Sequence, residues 1–194
     1  MIIAARHDKA VVVDILTQAF DDNKSFNTII KQDHKRKFRF RKIFEYYFDI
    51  CSKYGRVYLS DDKKACAVIL FPDIRKNTLS EILLDIKLLF VLGIQSVIKG
   101  FGREAKIKKA HPSANIYYLL FIGVYPDDQD KGLGSALLKS IIEDSKRMYR
   151  PMCLETYLDK NIALYGKFGF SIYDELDFGF PVFCMKRELA NQNP

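Results

Sequence analysis

A chain of 194 residues is long enough for one ordinary globular unit with a core of its own. Its make-up of 48% hydrophobic, 13% aromatic and 28% charged residues excludes a disordered or low-complexity polypeptide. The net charge of +7, from 31 basic and 24 acidic side chains, suits a polyanionic partner such as nucleic acid, a membrane surface or a phosphate-bearing ligand.

In chain order, Ile2–Arg6 reads as an opening strand, and Lys9–Phe20 as a helix with Val12, Ile15, Leu16 and Ala19 on one face. Phe38–Tyr54 repeats that spacing and stops at Gly55. Arg56–Leu59 and Ala65–Phe71 form a strand pair about the turn Asp61–Lys64. A helical insert spans about 79–110, weakened at Gly93, broken near Gly100-Phe101-Gly102 and ended by His111-Pro112. Asn115–Val124 is an apolar run of the kind buried on both faces, and Pro126–Gln129 is loop. Gly132–Met148 is a helix with one apolar stripe, followed by a strand at Pro151–Tyr157 and a short helix at Asn161–Phe168. Ser171–Tyr173 and Phe183–Arg187 complete a mixed α/β pattern, with Asp174–Pro181 as a loop between them.

The basic stretches Lys31–Lys42 and Lys99–Lys109 alternate with apolar residues at helical spacing, which marks solvated helix faces and no nucleic-acid site. Cys51, Cys66, Cys153 and Cys184 are far apart, without the spacing of a zinc site or a disulfide framework, so buried thiols in a reducing cytoplasm are expected. Met1–Arg6 lacks a signal-peptide pattern. Ile82–Ile98 is interrupted by Asp85, Lys87 and Gln95, short of the roughly 20 apolar residues of a membrane span. A cytoplasmic protein with no membrane partner is the expectation.

The chemistry concentrates in Tyr117–Ala136, where a buried strand passes through a polar loop to two glycines at the start of a helix. A helix N-terminus leaves N–H groups unpaired behind a positive dipole end, a place suited to phosphate. Glycines let the backbone approach such an anion closely. A Walker A loop would need Gly-Lys-Ser/Thr, which is absent. A dinucleotide fingerprint would use Gly132, Gly134 and the acid Glu155, but Leu137 fills its third glycine place.

The run Gln129-x-x-Gly132-x-Gly134, preceded by Ile122-Gly-Val124 and Pro126, resembles the acetyl-CoA signature of the GNAT N-acetyltransferase superfamily. Leu154-Glu155-Thr156, then Asn161-x-x-x-Tyr165-x-x-Phe168-Gly-Phe170, resembles the block that follows it there. The likeness is close over Asn115–Tyr173 and loose over the first hundred residues, and Asp130 and Lys131 depart from residues common in relatives.

The resemblance implies a single domain over 1–194 with a mostly antiparallel twisted sheet of about seven strands. Helices would cover both faces, and the fourth and fifth strands would splay into a V. It implies acetyl-CoA as cosubstrate, with the backbone of Ile122 and Val124 on the pantetheine arm. Gln129, Lys131, Gly132, Leu133, Gly134 and Ser135 would surround the pyrophosphate, and Asn161 would contact the cofactor arm. Tyr165 would protonate the leaving thiolate and Glu155 would serve as base, and no metal is implied. The acceptor would be a primary amine, by likeness to puromycin-type small-molecule acetyltransferases. A regulatory acyl-CoA-binding domain without turnover is the alternative. Cys153 reads as a core thiol, His111 as a surface histidine, and exposed aromatics of the insert hint at a homodimer.

Overall fold

The computed structural model describes residues 1–76 and 78–189. The chain runs through β1 (Ile2–Ile3), α1 (Lys9–Ala19), α2 (Lys24–Asn27), α3 (Arg36–Tyr54), β2 (Gly55–Leu59) and β3 (Ala65–Leu70). It continues through α4 (Leu79–Leu92), α5 (Ile94–Ala110), β4 (Tyr117–Val124), α6 (Leu133–Arg147), β5 (Met152–Thr156), α7 (Asp159–Lys167), β6 (Ser171–Asp177) and β7 (Pro181–Arg187). The seven strands form one sheet in the order β1-β2-β3-β4-β5-β7-β6, antiparallel except for the β4–β5 pair. The sheet expected from the resemblance is therefore present.

Alternation along the strands divides the core in two. On one face, Val12, Leu16, Phe40, Phe44, Val68 and Phe121 join α1 and α3 to the sheet, with α4 and α5 packed beside them. On the other, Leu137, Leu138 and Ile141 of α6 and Tyr165 of α7 pack on Ala67, Ile69, Leu119 and Leu154. Burying such a side chain is worth about 1.5–3 kcal/mol, so both faces of the central strands are strongly held.

β4 changes phase midway. Tyr117 and Leu119 face α6, as do Ile122 and Val124, whereas Tyr118, Leu120 and Phe121 face the α1–α3 layer. Odd positions give way to even ones because Leu120 is an extra residue: Val68 pairs with Phe121 but Ile69 with Leu119. Such a bulge bends its strand, and here it lies where β4 leaves β5.

Several elements differ from the sequence expectation. The insert breaks at Gly93, whose φ of +81° an L side chain resists, and runs unbroken through Gly100 and Gly102. Each glycine costs a helix about 1 kcal/mol, which the buried contacts of Val97 and Ile107 offset. The expected loop Asp174–Pro181 is instead the tip of the β6–β7 hairpin, where the Gly179 N–H donates to Asp177 Oδ1. The short α2 went unforeseen because its four residues carry no periodicity.

Candidate active site

β4 and β5 are hydrogen-bonded partners only where Tyr117 meets Met152 and Tyr118 meets Cys153. From Leu119 to Val124 the edge of β4 turned away from β3 has no strand paired to it among the described residues, although β5 continues to Thr156. The gap opens a cleft of about 220 Å³ through the sheet, lined by Phe26, Tyr47, Arg103, Glu155, Asn161 and Tyr165 among others.

The two predicted proton-handling residues reach this cleft from opposite faces. Leu154 belongs to the α6–α7 side, with Tyr165, while Cys153 belongs to the α1–α3 side, so Glu155 next along the strand lies on that second side. There Tyr118 donates its O–H to Glu155 Oε2 at 2.6 Å, tying β4 to β5 at the point where they part. Burial, reinforced by the Glu155 charge and hydrogen bond, pushes the Tyr118 phenol well above its ordinary value.

His111 is not on the surface. Its side chain is 6% exposed and that of Glu155 10%, with Nε2 lying 3.6 Å from Glu155 Oε1. Both atoms are buried, with no hydrogen-bond partner among the described residues. The imidazole meets the Tyr118 ring edge-on at 4.6 Å between centroids, held at the point where α5 ends. Sequence reading missed this placement because the His111-Pro112 pair reads as a turn, and nothing local says that the turn folds inward.

On the opposite face Tyr165 is buried against Phe170, and burial raises its phenol to about 12. Asn161, one turn earlier on α7, reaches Thr156 Oγ1 at 3.5 Å. Ile122 and Val124, half-buried, border the open stretch of β4.

Beyond β4 the chain makes a short turn at Pro126–Asp128 and enters α6 through Gly132, whose φ of +83° is in the left-handed region. Among the described residues no side chain caps this helix, so the first-turn amides of Leu133, Gly134 and Ser135 keep their hydrogen-bonding capacity. A Cβ at Gly134 would touch Val124 Cγ2 at 3.4 Å, which places the amides tightly against the open end of β4. Gln129 Nε2 donates to the Val124 carbonyl at 3.4 Å. Lys131, largely exposed, pairs with Asp128 at 2.9 Å. An uncapped, positively polarised helix end beside an unpartnered strand edge fits a pyrophosphate followed by an extended amide-bearing arm.

Cys51, Cys66, Cys153 and Cys184 are all buried and free. Burial lifts the Cys153 thiol to about 12, so it is no nucleophile at neutral pH.

Residues 85–172 match the family model described as an acetyltransferase (GNAT) domain. A protein from Corynebacterium glutamicum, described as histone acetyltransferase HPA2 and related acetyltransferase, shares the fold at a TM-score of 0.78 with 20% identity, over 100% of this chain and 97% of that one. An N-acetyltransferase from Staphylococcus aureus gives 0.58 at 18% identity, over 94% and 97% of the two chains. The PaiA N-acetyltransferase of Thermoplasma acidophilum, solved with coenzyme A, gives 0.57 at 12%, over 96% of each. The family match thus falls on the segment that builds the cleft, and the fold is shared with known acetyltransferases along nearly the whole chain.

Proposed function

We propose that the protein transfers an acetyl group from acetyl-CoA to the primary amine of a small molecule, directly, with both substrates bound. The observation that carries this reading is a cleft through the sheet with Glu155 on one face and Tyr165 on the other. Acetyl-CoA supplies the activated acyl group as a thioester.

On the α6 face, the first-turn amides of α6 and the side chain of Lys131 surround the pyrophosphate, with Gln129 and Ser135 beside them. The open edge of β4 at Ile122 and Val124 holds the pantetheine arm, with Asn161 facing it from α7. The Val124 N–H stabilises the charge that develops on the acyl oxygen. Tyr165, with its proton held firmly, gives it to the departing sulfur.

On the α1–α3 face, Phe26 and Tyr47 give the acceptor side an apolar wall, while Glu155 and Arg103 supply charge. An ordinary amine has a pKa near 10 and arrives protonated. Glu155 removes that proton, and His111 Nε2, 3.6 Å from Oε1, receives a hydrogen bond from the protonated acid as the gap closes. Arg103 hydrogen-bonds Ser25 Oγ at 3.0 Å and lies over the Phe178 ring at 4.1 Å. Burial lowers its pKa, opposed by the charges of Tyr118 and Glu155. A guanidinium so desolvated favours an acceptor with an anionic or strongly accepting group. Four free buried cysteines support a reducing, cytoplasmic setting.

The test is calorimetric titration with acetyl-CoA, followed by a thiol-release screen of amines grouped by size and charge. Micromolar binding with turnover of small aromatic or zwitterionic amines is the expected outcome. Binding without turnover of any amine would favour a regulatory acyl-CoA-binding domain, and absence of binding would overturn the proposal.

A further inference from the structure

The insert α4–α5 carries more exposed large hydrophobic side chains than the rest of the described chain together. Of fifteen large hydrophobic side chains exposed among the described residues, eight lie within residues 79–101. Leu79, Leu83, Ile86 and Phe90 follow one another at three- and four-residue steps along α4, with Leu79 81% and Phe90 84% exposed. Ile94, Ile98 and Phe101 continue that spacing on α5. The opposite side of α4 is also apolar, with Leu84, Leu88, Leu89 and Leu92 packed on the core. A helix apolar on both sides needs cover on both.

Charge is sorted just as sharply. The insert has three acidic residues, and each is bound by the protein itself. Glu81 is buried and accepts from Thr78, Asp85 accepts from the Tyr46 hydroxyl at 2.7 Å, and Glu104 accepts from Arg75 at 2.8 Å. The exposed charges of residues 79–110 are lysines: Lys87 beside the α4 stripe, Lys99 on α5, and Lys106, Lys108 and Lys109 in its last turns. Lys108 and Lys109 stand one to two turns beyond Phe101 and Ala105 on the same side of α5.

We infer that this face docks on an anionic lipid bilayer, with the apolar stripe entering the headgroup–acyl boundary and the lysines meeting lipid charge. The pattern decides between occupants. A second copy in a two-fold contact would set lysine against lysine with no acidic residue on the face to answer it. A nucleic acid would answer the lysines but offer nothing to eight apolar side chains. No helix among the described residues is long and apolar enough to cross a membrane, so the contact is peripheral. The proposal departs from the sequence expectation of no membrane partner and does not depend on the assignment of acetyl transfer.

The experiment is flotation of the full chain with vesicles of phosphatidylcholine alone or with about 30 mol% phosphatidylglycerol, at low and high salt, beside sedimentation velocity without lipid. Expected are a monomer without lipid, flotation with anionic vesicles, little with neutral ones, and loss at high salt. Lys108→Glu with Lys109→Glu should weaken partitioning by about thirty-fold or more, at roughly five-fold per lysine before charge reversal is counted. Phe90→Glu with Ile98→Glu should abolish it while circular dichroism and thermal melting remain those of the parent. Absence of flotation with anionic vesicles, or unchanged flotation of either double variant, would overturn the proposal. So would a concentration-dependent dimer dispersed by Phe90→Glu, or binding to duplex DNA with vesicles refused.

Discussion

Replacing Tyr165 by phenylalanine removes one hydroxyl from the α7 face of the cleft and leaves the ring packed on Phe170. No protein hydrogen bond to that hydroxyl occurs among the described residues, so stability should change by less than about 0.5 kcal/mol. The catalytic loss should be far larger. A positioned general acid contributes about 10²–10⁴-fold, or roughly 3–5 kcal/mol of barrier. Against an ordinary thiol of pKa about 8.5, a phenol at about 12 is too weak an acid to complete the transfer. The cleft alters both partners, however. A thiolate expelled into a cleft shielded from water is itself a stronger base than in solution, which brings it nearer the phenol. The assay is initial-rate thiol release at saturating acetyl-CoA, with acetyl thioesters of graded thiol acidity as alternative donors. Tyr165→Phe should lower kcat by two to four decades, leave acetyl-CoA affinity unchanged, and regain most of the loss with the most acidic leaving thiol. A variant with the parent's kcat, or one impaired equally with every donor, would refute the assignment. The raised pKa also fixes the sign of the pH effect. Tyr165 keeps its proton at every pH below about 12, so no fall in rate at pH 9–10 should be traceable to it.

Glu155→Gln should lower kcat by about 10²–10⁴-fold while leaving an oxygen to accept from Tyr118, which rate and thermal-melting measurements on one preparation would separate. Gly134→Trp places an indole on Val124 and the first turn of α6, and should abolish acetyl-CoA binding by calorimetry. Asp144→Ala leaves the Arg56 guanidinium and the hydroxyls of Tyr58 and Tyr117 without their shared acceptor, and should cost about 3–5 kcal/mol in urea unfolding. Burial tends to raise the pKa of Asp144, but hydrogen bonds from Tyr58 and Arg147 and the Arg56 charge outweigh it, so the folded value lies below the unfolded one. Its stabilisation is therefore complete above the unfolded value and lost as pH falls through the folded one, which acid unfolding of parent and variant would show as convergence.

The parts of the cleft legible in the sequence are those set by local chemistry. Gly132 and Gly134 ahead of an apolar helical stripe mark an uncapped α6, and Asn161 and Tyr165 one turn apart share a face of α7. The bulge at Leu120 was not legible, because Tyr117–Val124 is apolar throughout and has no polar alternation in which a change of phase could show. His111 escaped for a related reason: its burial depends on where α5 delivers the chain, and Gly100 and Gly102 gave a misleading sign of a break before that point. The apolar spacing of α4 gave its helix, but which side stays exposed follows only from its packing on α3.

On the proposed mechanism, the bulge also explains how an acid and a base would share one cleft. A phenol and a carboxylate placed side by side would hydrogen-bond each other, as Tyr118 and Glu155 do at 2.6 Å, and neither would be free for a substrate. Tyr165 and Glu155 avoid this because the sheet stands between them: successive positions on β5 face opposite ways, sending Leu154 toward Tyr165 and Glu155 toward His111. Such a division is useful only if the sheet is open at that level, since closed backbone would bar one substrate from the other. The extra residue at Leu120 bends β4 where its pairing with β5 ends at Tyr118, and the opening begins there. Deleting Leu120 should remove the bend while leaving Ile122 and Val124 on the α6 side and Gly123 on the α1 side, so that pairing of β4 with β5 runs on past Tyr118 and closes the opening. The expected result is loss of acetyl-CoA binding in a protein that still folds as a sheet. Undiminished binding by that deletion would show that the opening has another cause.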